Sequence, residues 1–163
     1  MYFQQADLLR GMSRDFMKEF MGTTMKESHR KGYFLFREGD RARHFYILLK
    51  GCVKLSIGET GHTVYTVDHP GEAFGWSSMV GGDVYSASAE CREPTKLLKI
   101  EVGKLQKIFE KDTANGFIFF KRLAGTLGNR LLQTYKQISA MSQAEISNSF
   151  GTGQVQESEA TIT

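Results

Sequence analysis

Residues 31–71 read KGYFLFREGDRARHFYILLKGCVKLSIGETGHTVYTVDHPG, in which short runs of β-forming residues alternate with turns rich in glycine and aspartate. The strands predicted here and further along the chain are 33–36, 45–49, 53–57, 62–67, 84–89 and 96–100. Strands this short, spaced by about ten residues with turn chemistry between them, are typical of an antiparallel sandwich or barrel. The stretch has no room for the crossover helices that a parallel sheet requires.

Helical patterns flank the predicted strands on both sides. The first thirty residues are predicted to be helical, with Phe16 and Phe20 at helical spacing and Ser13 placed as an amino-terminal cap. After the last strand, a short amphipathic helix is predicted at 102–111, and a much longer one follows Asn115. Beyond Met141 the chain is rich in Ser, Thr, Gln and Glu, which predicts a tail or a frayed helix end rather than another domain.

The long helix carries one continuous apolar seam. Its members, spaced alternately by three and four residues, are Phe117, Phe120, Ala124, Leu127, Leu131, Thr134, Ile138 and Met141. An a/d pattern held for this long is typical of a helix that pairs with another helix. We therefore expect a homodimer through this seam; the alternative is that the helix lies wholly on its own sandwich.

Composition limits the class of protein. The chain has 163 residues, of which 40% are hydrophobic and 24% are charged, as in a soluble globular domain. A net charge of +3 is too small to indicate nucleic acid or membrane binding by itself. No apolar run reaches the roughly 18 to 20 residues of a membrane helix, and the amino terminus lacks a signal-peptide pattern. A cytoplasmic location with free thiols at Cys52 and Cys91 is therefore predicted.

The stretch that is most informative about function is DHPGEAFGWSSMVGGDVYSASAE at 68–90. A strand is predicted to end at Phe74-Gly75, and a one-turn helix with Ser77 and Ser78 in its first turn follows. A glycine at this point lets a ligand approach the backbone, and the free N–H groups of a helix start attract an anion. The same residues also fit an ordinary capped turn, so the pattern by itself leaves both interpretations open.

Over residues 9–138 the chain resembles the cyclic-nucleotide-binding domain of the catabolite-activator and fumarate–nitrate regulator family. KGYFLFREGD at 31–40 resembles the first hairpin of that family, FYILLKGCVKL at 45–55 resembles the second, and Phe74-Gly75 with the following turn resembles its phosphate-binding cassette. Three glycines fall where that fold turns sharply: Gly39, Gly51 and Gly71.

The resemblance implies a mainly β fold with flanking helices, namely a double-stranded β-helix (jelly roll) followed by a long C-terminal dimerisation helix. The organisation then expected is a helical segment at 1–30, the jelly roll with its cassette at 31–101, helices at 102–141 and a tail at 142–163.

The chain departs from this family at both charged anchors of the ligand site. Members that bind cyclic AMP carry a Glu after the Phe-Gly pair, which holds the ribose, and this chain has Trp76 there. They also carry an Arg that pairs with the cyclic phosphate, and that position is Tyr85. Losing one partner of a buried charge pair costs about 2 to 5 kcal/mol, which weakens a micromolar ligand to near millimolar or worse. We therefore expect cyclic AMP not to bind tightly. The ligand contacts that the resemblance implies are Phe74, Gly75, Trp76, Ser77, Ser78, Met79, Tyr85, Ser86, Ala87, Thr134 and Tyr135.

Two interpretations of the altered pocket stay open. In the first, Trp76 turns inward and fills the cavity, which leaves a ligand-free dimerisation scaffold. In the second, Trp76 and Tyr85 form an aromatic wall for an unidentified small-molecule effector. A further alternative is that the chain is the effector half of a DNA-binding transcription regulator, lacking the helix-turn-helix.

Other chemistries find no support in the sequence. The four histidines include no His-x-His pair of the kind that metal-binding jelly rolls use, and no local motif indicates haem ligation. Neither a nucleophile elbow nor a Walker loop is present. Residues 142–163 are too few and too poor in basic residues for a helix-turn-helix. The chain is therefore predicted to be a non-enzymatic regulatory domain without metal or cofactor and without direct DNA binding.

Overall fold

The computed structural model describes the backbone of residues 7–150 and the side chains of residues 8–143. The strands are β1 (Thr24–His29), β2 (Phe34–Phe36), β3 (His44–Lys50), β4 (Val53–Ile57), β5 (His62–Val67), β6 (Ala73–Phe74), β7 (Ser88–Cys91) and β8 (Thr95–Glu101). The helices are α1 (Arg14–Gly22), α2 (Val102–Lys111) and α3 (Thr113–Phe150), with 3-10 turns at Asp7–Leu9 and Trp76–Met79.

The strands form two antiparallel four-stranded sheets, in the orders β1-β8-β3-β6 and β2-β7-β4-β5. Their facing sides enclose a core to which β3 contributes Tyr46 and Leu48, while β4 contributes Val53 and Leu55. The intervening β3 residues Phe45 and Ile47 are also buried, because both faces of this strand are covered. The predicted jelly roll with flanking helices is confirmed.

A second core joins the helices to the first sheet. Ring centroids of Phe16 in α1 and Phe109 in α2 lie 6.1 Å apart, and those of Phe109 and Phe119 in α3 lie 5.0 Å apart. Phe119 then contacts Phe45 of β3 edge-on at 6.0 Å. Ser13 caps α1 as predicted, since its hydroxyl accepts the N–H of Phe16 at 3.2 Å. These aromatic contacts fix α1, α2 and the first turns of α3 on the sheet.

Two expectations about secondary structure need correction. The helical segment expected at 1–30 ends early, because residues 24–29 form β1 and pair with β8. The strand expected at 84–89 is displaced to β7, since Val84 makes only an isolated bridge with Arg41. The tail expected at 142–163 is helical at its start, because α3 continues through Phe150, which agrees with the frayed helix end that was the alternative. Residues 151–163 of that tail lie outside the described residues.

The chain divides into two units, residues 1–122 and 123–163. The first contains both sheets, α1, α2 and the beginning of α3, and the described part of the second is helical throughout. None of the helices within the described residues is long and apolar enough to cross a membrane. Cys52 and Cys91 are free thiols, as predicted.

Candidate functional site

The cassette begins where β6 ends. Phe74 is fully buried and pairs with Tyr46 of β3. Gly75 follows with a φ of 73°, and a Cβ at this position would lie 3.0 Å from the ring of Tyr46 and 3.3 Å from the carbonyl oxygen of His44. Both the left-handed backbone and the close approach therefore require glycine. Trp76, which is partly buried, opens the 3-10 turn directly after it.

Tyr85 occupies the position where the family resemblance places an arginine, and it is buried in the core between the sheets. The residue is 3% exposed, and its ring stacks on Phe36 with the centroids 3.7 Å apart. Its hydroxyl donates a hydrogen bond to the carbonyl oxygen of His44 at 2.7 Å and accepts one from the N–H of the same residue at 3.2 Å. The polar end of this side chain is thus engaged by the backbone of β3.

Tyr46 completes an aromatic cluster around Tyr85. The centroid of its ring lies 5.3 Å from that of Phe74 and 5.5 Å from that of Phe36. Burial is the main cause that raises the pKa of Tyr46 far above its usual value, and a side-chain hydrogen bond with Tyr85 adds to the shift. Burial also raises the pKa of Tyr85. Both phenols therefore stay protonated and neutral near pH 7, and neither supplies the positive charge that a phosphate would need.

The serines of the cassette divide into two groups. Ser78 is used by the turn itself, because its hydroxyl donates to the carbonyl oxygens of Gly75 at 3.0 Å and His44 at 3.3 Å. The hydroxyl oxygens of Ser77 and Ser86 lie 3.4 Å apart on the exposed side of the turn. Ser77 and Ser86 are therefore the cassette hydroxyls that remain accessible to a ligand.

A cavity of about 460 Å³ opens between the cassette turn, α2 and the start of α3. Met79 of the turn, Phe109 of α2 and Phe120 of α3 contribute to its apolar lining. Of the described residues that line it, Glu110 alone carries a charge. The cassette thus borders a pocket without any lysine or arginine.

The turn between β5 and β6 gathers Asp68, His69 and Glu72, each with one potential metal-ligand atom within 4.8 Å of the others. The carboxylate of Glu72 accepts the N–H groups of Asp68 at 3.1 Å and His69 at 3.0 Å, and the hydroxyl of Tyr65 at 2.7 Å. These bonds account for the cluster as a structural feature of the turn, and we assign no metal to it.

The apolar seam of α3 is uncovered. Within the described chain, Phe117 is 70% exposed, Leu131 is 50% exposed and Met141 is 66% exposed. None of the eight seam residues, all of which are described, is buried. A stripe of this length exposes far more apolar surface than isolated surface residues do.

Comparison with known proteins identifies the family. A family model described as the cyclic nucleotide-binding domain matches residues 26–112, more than half of the chain. The chain belongs to this family. Human cGMP-dependent protein kinase 2 is 28% identical to the domain over 95 residues, which make up 56% of this chain and 12% of the kinase. The domain therefore corresponds to a small part of that relative.

Solved structures share the fold of the cyclic nucleotide-binding domain. A proposed cyclic nucleotide-binding protein from Geobacter metallireducens has a TM-score of 0.68 and 26% identity, covering 76% of this chain and 91% of that one. The catabolite activator protein of Thermus thermophilus has a TM-score of 0.66 and 22% identity, covering 83% and 63% respectively. The family and the fold expected from the sequence are confirmed.

The structure brings most of the predicted ligand contacts of the domain together in one place. The cassette residues from Phe74 to Met79 are continuous, and Tyr85 and Ser86 return beside them, with Ala87 next in the chain. The remaining two contacts, Thr134 and Tyr135, lie in the second unit. There Thr134 donates its hydroxyl to the carbonyl oxygen of Arg130 at 3.0 Å and Tyr135 is exposed. A role for each of them in ligand binding stays a prediction.

Sequence analysis missed three residues that determine the cassette geometry: Phe36, His44 and Tyr46. The alternation of residues along a strand places Phe36 and Tyr46 on an inward face, so their position could have been predicted from the sequence. Nothing local links His44 to Tyr85, 41 residues later. Only the folded chain places them side by side.

Proposed function

We propose that this domain is a non-enzymatic sensor of the regulator type, which pairs through α3 and binds cyclic AMP only weakly. The observation that carries the proposal is the engaged, buried Tyr85 at the position of the phosphate-binding arginine. A phenol held by two backbone hydrogen bonds offers the cyclic phosphate neither a positive charge nor a free donor. The exposed hydroxyls of Ser77 and Ser86 remain as neutral contacts for an effector.

The binding free energy lost with the two charged anchors decides between tight and weak nucleotide binding. Hydrogen bonds to charged groups contribute roughly 1.5 to 3 kcal/mol each, and two such anchors, the Glu and the Arg of the family, are replaced here. At about 1.4 kcal/mol per tenfold, even one missing anchor lowers the affinity by about tenfold to a hundredfold. The cavity that borders the cassette does not compensate, because Glu110 is its charged lining residue.

Isothermal titration calorimetry of the full chain with cyclic AMP tests this part of the proposal. The same titration with cyclic GMP is included because the kinase relative is named for that nucleotide. We expect a dissociation constant near millimolar or weaker for cyclic AMP. A value below about ten micromolar that Ser86→Ala weakens would refute the proposal, since it would show tight binding at the cassette.

Dimerisation is supported by the uncovered seam of α3. Its a/d spacing matches the packing of two helices, and its apolar residues are exposed in the single chain. In the proposed mechanism, effector binding at Gly75–Met79 shifts the cassette turn and changes how the paired α3 helices pack, with Thr134 and Tyr135 as predicted contacts.

The dimer is tested by placing charges in the seam. We expect Leu127→Glu with Leu131→Glu to yield a monomer, because two carboxylates per helix would be buried at the interface without partners. Leu132→Glu is the matched control, since Leu132 is equally apolar and 57% exposed but lies outside the seam. Light scattering coupled to size-exclusion chromatography measures the mass. A double variant that stays dimeric would contradict the proposed interface.

The second candidate function is a ligand-free dimerisation scaffold, and the filled core around Tyr85 favours it. Trp76 discriminates between the two, because it is the single tryptophan of the chain and opens the cassette turn. A change in its fluorescence on addition of a metabolite supports sensing, and an unresponsive Trp76 across a metabolite set supports the scaffold. A cytoplasmic location remains the prediction for either function.

A further inference from the structure

The cavity between the cassette turn, α2 and the start of α3 has the properties of a binding site for a small molecule other than a nucleotide. Its volume of about 460 Å³ falls within the roughly 300 to 1,000 Å³ that is usual for such sites. All of its lining residues belong to the first unit of the chain. The cavity is separate from the exposed hydroxyls of Ser77 and Ser86, which do not line it.

The apolar part of the cavity suits an aromatic or branched aliphatic group. Phe109 and Phe120 meet edge to face with their ring centroids 5.3 Å apart, which leaves an aromatic surface for a further ring. Met79 and Val102 line the cavity as well. A methionine side chain adapts its shape to different apolar partners, so the wall formed by the turn is adjustable.

The charge in the cavity suits a cation. Glu110 lines it, and within the described residues this carboxylate has no ion-pair partner. The neighbouring cations of α2, Lys107 and Lys111, do not line the cavity. An ammonium group would meet this carboxylate close to the aromatic rings that line the cavity, and the face of an aromatic ring also attracts cations. A carboxylate or phosphate would be repelled.

We propose that this cavity is a second binding site of the domain and that it takes a primary amine carried on an aromatic or branched aliphatic group. The amine pairs with Glu110, and the apolar group lies against Met79, Phe109 and Phe120. The site goes beyond the proposed function, because it shares only Ser78 and Met79 with the predicted nucleotide contacts and does not require the paired α3 helices.

Phenethylamine and its anionic counterpart 3-phenylpropionate are the probes, and saturation-transfer NMR titrations of the full chain measure their affinities. We expect phenethylamine to bind up to about fivefold more tightly than 3-phenylpropionate, as one surface charge pair supplies up to about 1 kcal/mol. Glu110→Gln should bring the two affinities together to within about twofold. Glu59→Gln removes the same charge from an exposed turn between β4 and β5 and should leave the preference unchanged.

A blocking variant tests the location of the site. Gln106→Trp places a large ring on an exposed position of α2 that lines the cavity, and it should abolish binding of phenethylamine while circular dichroism shows an intact fold. Equal affinity of the two probes for the unaltered domain would overturn the inference, as would phenethylamine binding that survives Gln106→Trp. Binding should persist in the Leu127→Glu, Leu131→Glu variant, so failure of the proposed dimer does not decide this test.

Discussion

Tyr85→Phe tests whether the residue at the arginine position is a structural part of the core. The substitution keeps the ring that stacks on Phe36 and removes only the hydroxyl. Two hydrogen bonds with the backbone of His44, of 2.7 Å and 3.2 Å, are then lost. The variant thus isolates the polar contacts of Tyr85 from its packing.

The expected cost follows from the number of bonds lost. Each contributes about 0.5 to 1.5 kcal/mol net, and a buried partner left unsatisfied costs about 1 to 3 kcal/mol. Since the backbone groups of His44 are only partly buried, we expect a loss of about 2 kcal/mol in the free energy of unfolding. In a chain of this size, that loss corresponds to a fall of about 4 to 8 °C in Tm.

Urea unfolding followed by circular dichroism measures this loss, with every variant compared at one protein concentration because dimerisation makes stability depend on concentration. Tyr33→Phe is the matched control, since Tyr33 is 45% exposed, and its loss should stay below about 0.5 kcal/mol. If Tyr85→Phe were no more destabilising than the control, the hydroxyl would not be held by β3. It would then be free for a ligand, and the argument against cyclic AMP would lose its main support.

Two further predictions concern backbone strain and pH. Gly51→Ala should lower the free energy of unfolding by about 3 kcal/mol, because Gly51 has a φ of 106° and a Cβ there would lie 2.7 Å from the Cα of Thr95. Gly58→Ala, at a φ of 78° with open space around it, should cost only about 1 kcal/mol, and equal losses in denaturant titrations would contradict this account. Burial lowers the pKa of His44 below its usual 6.5, so the stability that the neutral ring contributes is present above pH 6.5 and is lost as the pH falls through the lower folded value. His44→Gln should therefore flatten the loss of stability on acidification below pH 6.5, whereas His62→Gln, at an exposed position, should not. Identical pH profiles for His44→Gln and the unaltered domain would count against a partly buried, neutral imidazole at position 44.

Local patterns in the sequence were sufficient for most elements of the fold. The predicted strands 53–57 and 62–67 and the helix 102–111 coincide with β4, β5 and α2. In each of these elements the apolar residues repeat every two or every 3.6 positions, and glycines or polar residues mark both ends of the element. The exposed seam of α3 could be predicted for the same reason, because its spacing is a property of one helix.

The sequence by itself also determined which chemical groups the cassette lacks. Trp76 and Tyr85 carry no charge wherever they point, so the prediction that both charged anchors are missing followed from the positions that the family resemblance assigns to them. The cassette glycine could be predicted too, and the structure gives its reason in the approach of Tyr46 and His44 to Gly75.

Tertiary contacts decided the remainder. The segment TMKESH has no apolar alternation, and it becomes β1 because β8 supplies a hydrogen-bonding edge about seventy residues later in the chain. Whether Tyr85 faces a ligand or the core depends on Phe36 and on the backbone of His44, which no local pattern connects to it. The cavity beside Glu110 likewise forms only where three separate segments meet. The sequence specifies the chemical type of each side chain, but contacts between distant segments determine which side chains are buried and which groups they bond to. Here those contacts place Tyr85 in the core.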